Sequence, residues 1–160
     1  NGVGDTDSVY ENVGAFLYAI DFAFTKQIPT LGGFIDIKGQ YNNSDISNDT
    51  YTTVHEDGDE EKYTFDNKSN SFYTQLSYRP TMASSDFLKK IELVGRYSDI
   101  NTPEGAEWEE QSVQYAYGIN YWLTWRSVIK IAYQTTDTVG GHGGGNGTTN
   151  GFYMHWAIGF

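Results

Sequence analysis

Residues 151–160 alternate strictly between large apolar side chains and small or polar ones. The apolar positions are Phe152, Met154, Trp156, Ile158 and Phe160. Successive side chains of a β-strand point to opposite faces, so a period of two predicts a strand whose faces meet different surroundings. This feature constrains the fold most, because it recurs along the chain.

Six earlier segments alternate in the same way, at about 13–25, 31–41, 72–79, 90–98, 113–123 and 129–134. Short turns are predicted near 26–30, 80–87 and 124–127, and long polar loops near 42–70, 101–110 and 137–149. No segment has a helical period with matching caps. The sequence therefore predicts an all-β fold with seven strands, or eight if 61–65 is also a strand, in one domain over residues 1–160.

Aromatic residues make up 16% of the chain, and such residues favour strands and collect at membrane interfaces. No stretch approaches the roughly 20 apolar residues of a membrane helix. Half-apolar strands joined alternately by short turns and long polar loops are typical of a transmembrane antiparallel β-barrel. Cysteine is absent, which excludes disulfides and thiolate metal sites.

The predicted strand count is odd, although bacterial single-chain barrels have an even number of strands with both termini in the periplasm. Counting back from a C-terminus on the short-turn side places residues 1–10 on the external side. We therefore expect the chain to be the C-terminal part of a larger barrel.

Charge is sorted by region. The N-terminal segment and the predicted external loops, counting Asp99 and Asp137 at the strand ends, hold 17 of the 21 acidic residues and two of the ten basic ones, a net charge of −15. The acidic balance argues against nucleic-acid binding.

The polar strand face is predicted to line a pore with Asp36, Lys38, Arg79, Lys90, Glu92, Arg96, Asn120 and Lys130. A water-filled lumen tolerates these charges, although the solvated face of an ordinary sheet would do so too.

An acidic run in the first long loop is a candidate for loose binding of divalent cations such as calcium. Its members are Glu56, Asp57, Asp59, Glu60 and Glu61. An EF-hand is excluded, because Lys62 and Lys68 stand where Gly and Glu are required. The chain carries no Walker, Rossmann or esterase motif, so we expect neither an enzyme nor a cofactor.

The final aromatic strand resembles the C-terminal signal of bacterial outer-membrane β-barrels. An ordered series, Leu-Val-Gly-Arg-Tyr-Ser-Asp-Ile-Asn at 93–101, Tyr-Gly-Ile-Asn-Tyr-Trp-Leu at 117–123 and Val-Ile-Lys-Ile-Ala-Tyr at 128–133, resembles the C-terminal region of the phosphate-selective porin O and P family. The resemblance covers about residues 70–160. It implies a barrel of about sixteen strands, usually trimeric, that passes anions or other small solutes. Phosphate selectivity does not carry over, because the family's basic selectivity residues lie largely upstream.

The function expected from these observations is a passive diffusion channel for ions or small solutes in the outer membrane of a Gram-negative bacterium. Its partners would be outer-membrane lipid, lipopolysaccharide and the other subunits of a homotrimer. Two alternatives stay open. One is a small closed barrel with structural or adhesive loops, and the other is a secreted, soluble β-sandwich that binds carbohydrate through its aromatic residues.

Overall fold

The structure is a computed structural model of the 160-residue chain, and it describes residues 14–47, 49–54, 60–106, 108–140 and 145–159. Within these ranges, only the backbone is described for 49–54 and 60–63. The strands are β1 (Ala15–Ile28), β2 (Gly33–Ile46), β3 (Asp49–Val54), β4 (Glu60–Phe65), β5 (Lys68–Arg79), β6 (Ile91–Asn101), β7 (Glu110–Thr124), β8 (Ser127–Gly140) and β9 (Gly147–Ile158). A single helical turn, α1, spans Asp86–Lys89.

Seven strands form one antiparallel sheet in the order β1-β2-β5-β6-β7-β8-β9, while β3 and β4 pair with each other in a separate hairpin. Each strand of the large sheet therefore lies beside the strands that precede and follow it, apart from the inserted hairpin. The all-β, antiparallel prediction with seven strands is confirmed. The sheet is not closed: among the described residues, β1 and β9 each have one neighbouring strand.

The register aligns the apolar positions of neighbouring strands. Ile37 pairs with Leu76 across β2 and β5, and Leu93 pairs with Ile119 across β6 and β7. Side chains of directly opposed residues share a face, so each pairing extends the same apolar surface. Slipping by one residue would move these side chains to the opposite face. The alternation in sequence therefore selects the observed register.

The predicted loop at 42–70 was too long. Strand β2 continues to Ile46 and β5 begins at Lys68, because polar pairs such as Ser44 and Ser69 extend the backbone ladder without an apolar pattern. The additional strand considered near 61–65 is present as β4, but it pairs with β3 and adds no strand to the large sheet.

The segment after β5 was predicted to be a plain turn, but it contains the short helix α1. A helix of one turn is too short to leave a periodic pattern in the sequence. Lys90 lies between α1 and β6, so its predicted position within a strand was wrong. The Lys89 ammonium lies 2.9 Å from Oδ1 of Asp86 and lowers the pKa of that carboxyl. Among the described residues, no helix is long and apolar enough to cross a membrane.

The sheet has no apolar core beneath it among the described residues. The buried apolar side chains are Phe65, Ala106 and Val128. The Phe65 ring, at the end of β4, packs edge-on against Trp108 in the segment before β7, with ring centroids 5.3 Å apart. Apart from Val128, the described apolar side chains of the large sheet are not buried and must be accounted for separately.

Candidate functional site

One face of the large sheet carries an apolar band that crosses all seven strands. We define the apolar band by Phe16, Ile20, Phe24, Ile37, Leu76, Leu93, Tyr117, Ile119, Tyr121, Ile131, Phe152, Met154 and Trp156 and by the apolar residues on the same face between them. Five of these were predicted to contact lipid: Tyr117, Ile119, Tyr121, Ile131 and Trp156. The structure places all five on this face.

The apolar band is open to its surroundings. Phe152 is 72% exposed and Tyr117 is 63% exposed. Of the described elements outside the sheet, α1 touches this face through Phe87, whose ring centroid lies 5.5 Å from that of Tyr121. A large exposed apolar surface marks a site of contact with an apolar partner, because water solvates it poorly.

The opposite face, here called the polar face, carries seven of the eight predicted pore-lining residues: Asp36, Lys38, Arg79, Glu92, Arg96, Asn120 and Lys130. The eighth, Lys90, lies in the turn before β6. The register places Asn120 between Glu92 and Lys130, and Gln75 between Lys38 and Arg96. Residues far apart in sequence therefore form two short rows across the sheet.

The polar face is the more sheltered of the two, although no described layer covers it. Ser77 is 3% exposed, and the side chain of Asp36 is 16% exposed. The arrangement is the reverse of a soluble β-protein, where the apolar face is sheltered.

Asp36 and Lys38 neutralise each other on the polar face. The Lys38 ammonium lies 2.9 Å from Oδ2 of Asp36, and the Thr25 hydroxyl donates to Oδ1 of the same carboxylate at 2.7 Å. The two residues are adjacent positions of one strand face, which puts their charged groups within reach. This part of the face therefore presents a compensated pair.

An aromatic ring and a hydroxyl group hold the Arg96 side chain. Its guanidinium lies 4.1 Å from the ring centroid of Tyr73, and its Nε donates to the Ser98 hydroxyl at 3.2 Å. A cation over an aromatic face is stabilised by the ring's electron density. Among the described residues, neither Arg96 nor Lys130 forms an ion pair. These two side chains therefore carry the uncompensated positive charge of the mid-strand polar face.

Glu92 is the centre of a hydrogen-bonded network near the short-turn end. Its Oε2 accepts bonds from Trp122 Nε1 at 2.9 Å and from Asn120 Nδ2 at 3.1 Å. The Arg79 guanidinium lies 5.3 Å from the Trp122 ring centroid, and its Nε donates to the Lys89 carbonyl at 2.7 Å. The network joins the β5–β6 turn to β7.

Sequence reasoning missed Tyr73 and Trp122 as partners of the charged residues. Both stand at positions that alternation assigns to the polar face, where an aromatic residue is unusual. An aromatic residue at a polar-face position is the sequence signal that could have identified them, because its ring can contact a cation and a tryptophan N–H can donate to a carboxylate.

The apolar band runs obliquely to the strand register. In β1 it is centred on Ile20, and the register leads from Ile20 through Tyr41, Phe72, Asp99, Val113 and Asp137 to Thr148 of β9. In β9 the band is centred near residue 155, so the shift is 155 − 148 = 7 residues over six strand-to-strand steps. That shift equals about 23 Å along the strands against about 29 Å across them, an inclination of about 40°.

The acidic run predicted to bind divalent cations falls largely outside the described structure. Glu56, Asp57 and Asp59 lie outside the described residues, and only the backbone is described for Glu60 and Glu61. In the part of the chain that is described, no group of three or more His, Asp or Glu side chains could hold a metal ion. Loose calcium binding by this run stays a prediction.

Comparison with protein-family models, with curated proteins and with solved structures finds no match to this chain. The functional argument therefore depends on the two faces of the sheet and on the residues they carry.

Proposed function

We propose that this chain forms part of the wall of an outer-membrane β-barrel, with the apolar band facing lipid and the polar face lining a passive diffusion pore. The observation that carries this proposal is the exposed apolar band and its inclination of about 40° to the register. An enzymatic role is not part of the proposal, because diffusion through a pore needs no catalytic group.

The inclination matters because the strands of membrane barrels are tilted by about 35–45° from the barrel axis. A lipid band perpendicular to that axis must then cross the strands obliquely. Depth also fits: the stretch from Phe16 to Phe24 spans about 27 Å of strand, or about 21 Å of depth when tilted, close to the roughly 25 Å apolar band of such barrels.

The two edge strands favour a larger barrel. Six successive antiparallel pairings separate β1 from β9, so these two strands run in the same direction. Direct closure between them would require a parallel pair. Antiparallel closure requires an odd number of further strands, each hydrogen-bonded to its neighbours, since an open edge in lipid leaves backbone groups unsatisfied. The resemblance to a family with about sixteen strands supports this form of the proposal.

Charge on the polar face supports a weak preference for anions inside the pore. The Asp36–Lys38 pair is compensated, whereas the three basic residues Arg79, Arg96 and Lys130, without an ion pair among the described residues, outnumber the two unpaired carboxylates of this face, Asp21 and Glu92. The external loops are strongly acidic, but their charges are screened beyond about 8 Å at physiological salt. Contact of these loops with lipopolysaccharide, and assembly as a homotrimer, stay predictions.

Reconstitution of the complete protein tests the proposal. The protein would be folded into lipid vesicles and planar bilayers, and single-channel conductance and reversal potential would be recorded. We expect steps of constant conductance and strand-rich circular dichroism in lipid. A folded, membrane-inserted protein without conductance would favour a closed structural barrel. A monodisperse product that is soluble without detergent would contradict membrane residence and favour the secreted β-sandwich.

A further inference from the structure

A cavity of about 580 Å³ opens near the ends of β1, β2, β5 and β6 that meet the long loops. Its lining consists of four three-residue segments, 17–19, 42–44, 69–71 and 100–102. The outer two residues of each segment lie on the polar face, and the middle residue lies on the opposite face. The cavity therefore belongs to the polar face, on the loop side of Lys38 and Arg96.

Among the described residues, the lining carries no carboxylate, ammonium, guanidinium or imidazole group. Its polar-face side chains include Leu17, Ala19, Asn42, Ser44, Ser69, Ser71 and Ile100. A neighbouring cavity of about 430 Å³ is different, because Asp66, Lys68 and Glu104 are among its lining residues. The first cavity thus offers hydroxyl, amide and aliphatic groups, and it offers no fixed partner to a charged solute.

Hydrogen bonds orient the polar groups of this cavity. Gln40 Nε2 donates to Asn42 Oδ1 at 2.9 Å, and Asn42 Nδ2 donates to the Ser71 hydroxyl oxygen at 3.1 Å. The Ser71 hydroxyl keeps its own hydrogen for donation. Ser44 and Ser69 pair across β2 and β5, and their hydroxyls make no hydrogen bond to any described residue. At least three hydroxyl groups therefore have unused hydrogen-bonding capacity.

We propose that this cavity binds an uncharged polyhydroxylated solute, a sugar or a polyol. Such a solute presents hydroxyls that both donate and accept, as the serine hydroxyls and the Asn42 amide do. Its C–H surface would lie against Leu17 and Ile100, and the cavity volume falls in the range of ligand pockets, about 300–1,000 Å³. The inference adds a solute class to the proposed pore, and it rests on that proposal only for how the solute reaches the cavity.

The test uses the complete folded protein in micelles of lauryldimethylamine oxide, a detergent without a sugar headgroup that could compete. Saturation-transfer NMR would measure binding of glucose and of glucuronate, which differs by one carboxylate. We expect saturable glucose binding at millimolar concentration and at least threefold weaker binding of glucuronate. Absence of saturable glucose binding, or equal binding of both sugars, would overturn the inference.

Matched variants locate the binding. The double variant Ser44→Ala, Ser69→Ala removes two hydroxyls that no described residue uses, so we expect the fold to be unchanged. We expect roughly tenfold or greater loss of glucose affinity, since one neutral hydrogen bond contributes about threefold to tenfold in affinity. Ser71→Ala should lose about threefold to tenfold. Asn150→Ala, in β9 and outside the cavity lining, should stay within twofold. Equal losses for Asn150→Ala would overturn the assignment.

Glucose binding and conductance together distinguish a wrong sugar-binding inference from a wrong pore proposal. Glucose binding with no conductance in planar bilayers would contradict the pore and support the cavity. Conductance with no glucose binding would support the pore and contradict the cavity.

Discussion

The two faces of the seven-stranded sheet differ in chemistry and in exposure, and the two differences run opposite to those of a soluble protein. Large apolar side chains such as Phe152 and Met154 are exposed on one face, whereas Ser77 and Ser98 are buried on the other. In water, burial of apolar surface is the main favourable contribution to folding. A sheet that leaves its apolar side outward therefore needs surroundings other than water on that side.

The faces also differ in how their side chains are held. Aromatic residues of the apolar band meet at ring-centroid distances of 5.3 Å for Tyr97 and Tyr115 and 6.5 Å for Phe72 and Tyr97, contacts that many ring pairs could make. On the polar face, Glu92 accepts hydrogen bonds from two named donors. We therefore expect the free energy of unfolding to fall when a polar or charged side chain is placed in the apolar band. On the polar face, we expect it to fall when one partner of a specific hydrogen bond is removed.

Ile119→Arg should have the largest effect of the substitutions considered. Ile119 lies in the middle of the apolar band between Leu93 and Ile131, and a cation near the bilayer midplane costs about 2–4 kcal/mol. The control is Asn120→Arg, the next residue on the opposite face, where Glu92 can accept the new guanidinium. Equilibrium unfolding in lipid vesicles measures both. Similar losses for the two variants would remove the distinction between the faces.

Glu92→Ala should lower the free energy of unfolding by about 1–2 kcal/mol, because it leaves the Trp122 indole N–H and the Asn120 amide without their acceptor. Glu92→Gln keeps an acceptor oxygen, and we expect it to lose less than half as much. The same unfolding assay compares them. If the glutamine variant is as unstable as the alanine variant, charge, and not the hydrogen bonds, is what the network requires.

In the proposed channel, Arg96→Gln should shift the ion preference toward cations by roughly twofold to threefold, since a unit charge at about 7 Å in water contributes about 0.6 kcal/mol. Reversal potentials across a salt gradient measure the shift. The double variant Asp36→Asn, Lys38→Gln removes an ion pair at constant net charge, and we expect no shift. An unchanged preference in Arg96→Gln would exclude Arg96 from the part of the pore that selects ions.

The smallest effect concerns the acidic run at 56–61. Neutralising Glu56, Asp57, Asp59, Glu60 and Glu61 to amides should abolish a calcium-dependent rise in melting temperature. We expect that rise to be about 2 °C in the unmodified protein, because exposed charges contribute less than about 1 kcal/mol. Melting curves with calcium and with a chelator give the comparison. No response to calcium in either protein would indicate simple solvation of the loop.

Much of the sheet was predictable from sequence, because alternation is local information. The seven strands, their antiparallel order and the face of each of the five predicted lipid-facing residues follow from period-two patterns and short turns. Strand ends were less predictable. The polar pairs that extend β2 to Ile46 carry no apolar signal, and hairpin β3–β4 lies in a segment whose composition is typical of a loop.

The sequence predicted which residues belong to the candidate site better than it predicted the contacts between them. Alternation assigned Arg96 and Glu92 to the polar face, but the stacking of Arg96 on Tyr73 depends on the register of β5 with β6. The contact of Arg79 with Trp122 bridges strands that are not neighbours. Lys90 was misplaced because one helical turn, α1, ends beside it.

The sequence by itself determined the all-β class and the division of side chains between two faces, because each depends on residues two positions apart in one chain segment. Only the tertiary structure decided which face is sheltered, which charges are compensated and how the apolar band is inclined to the register. Those properties depend on the pairing of strands, and hence on distances between residues that are remote in sequence.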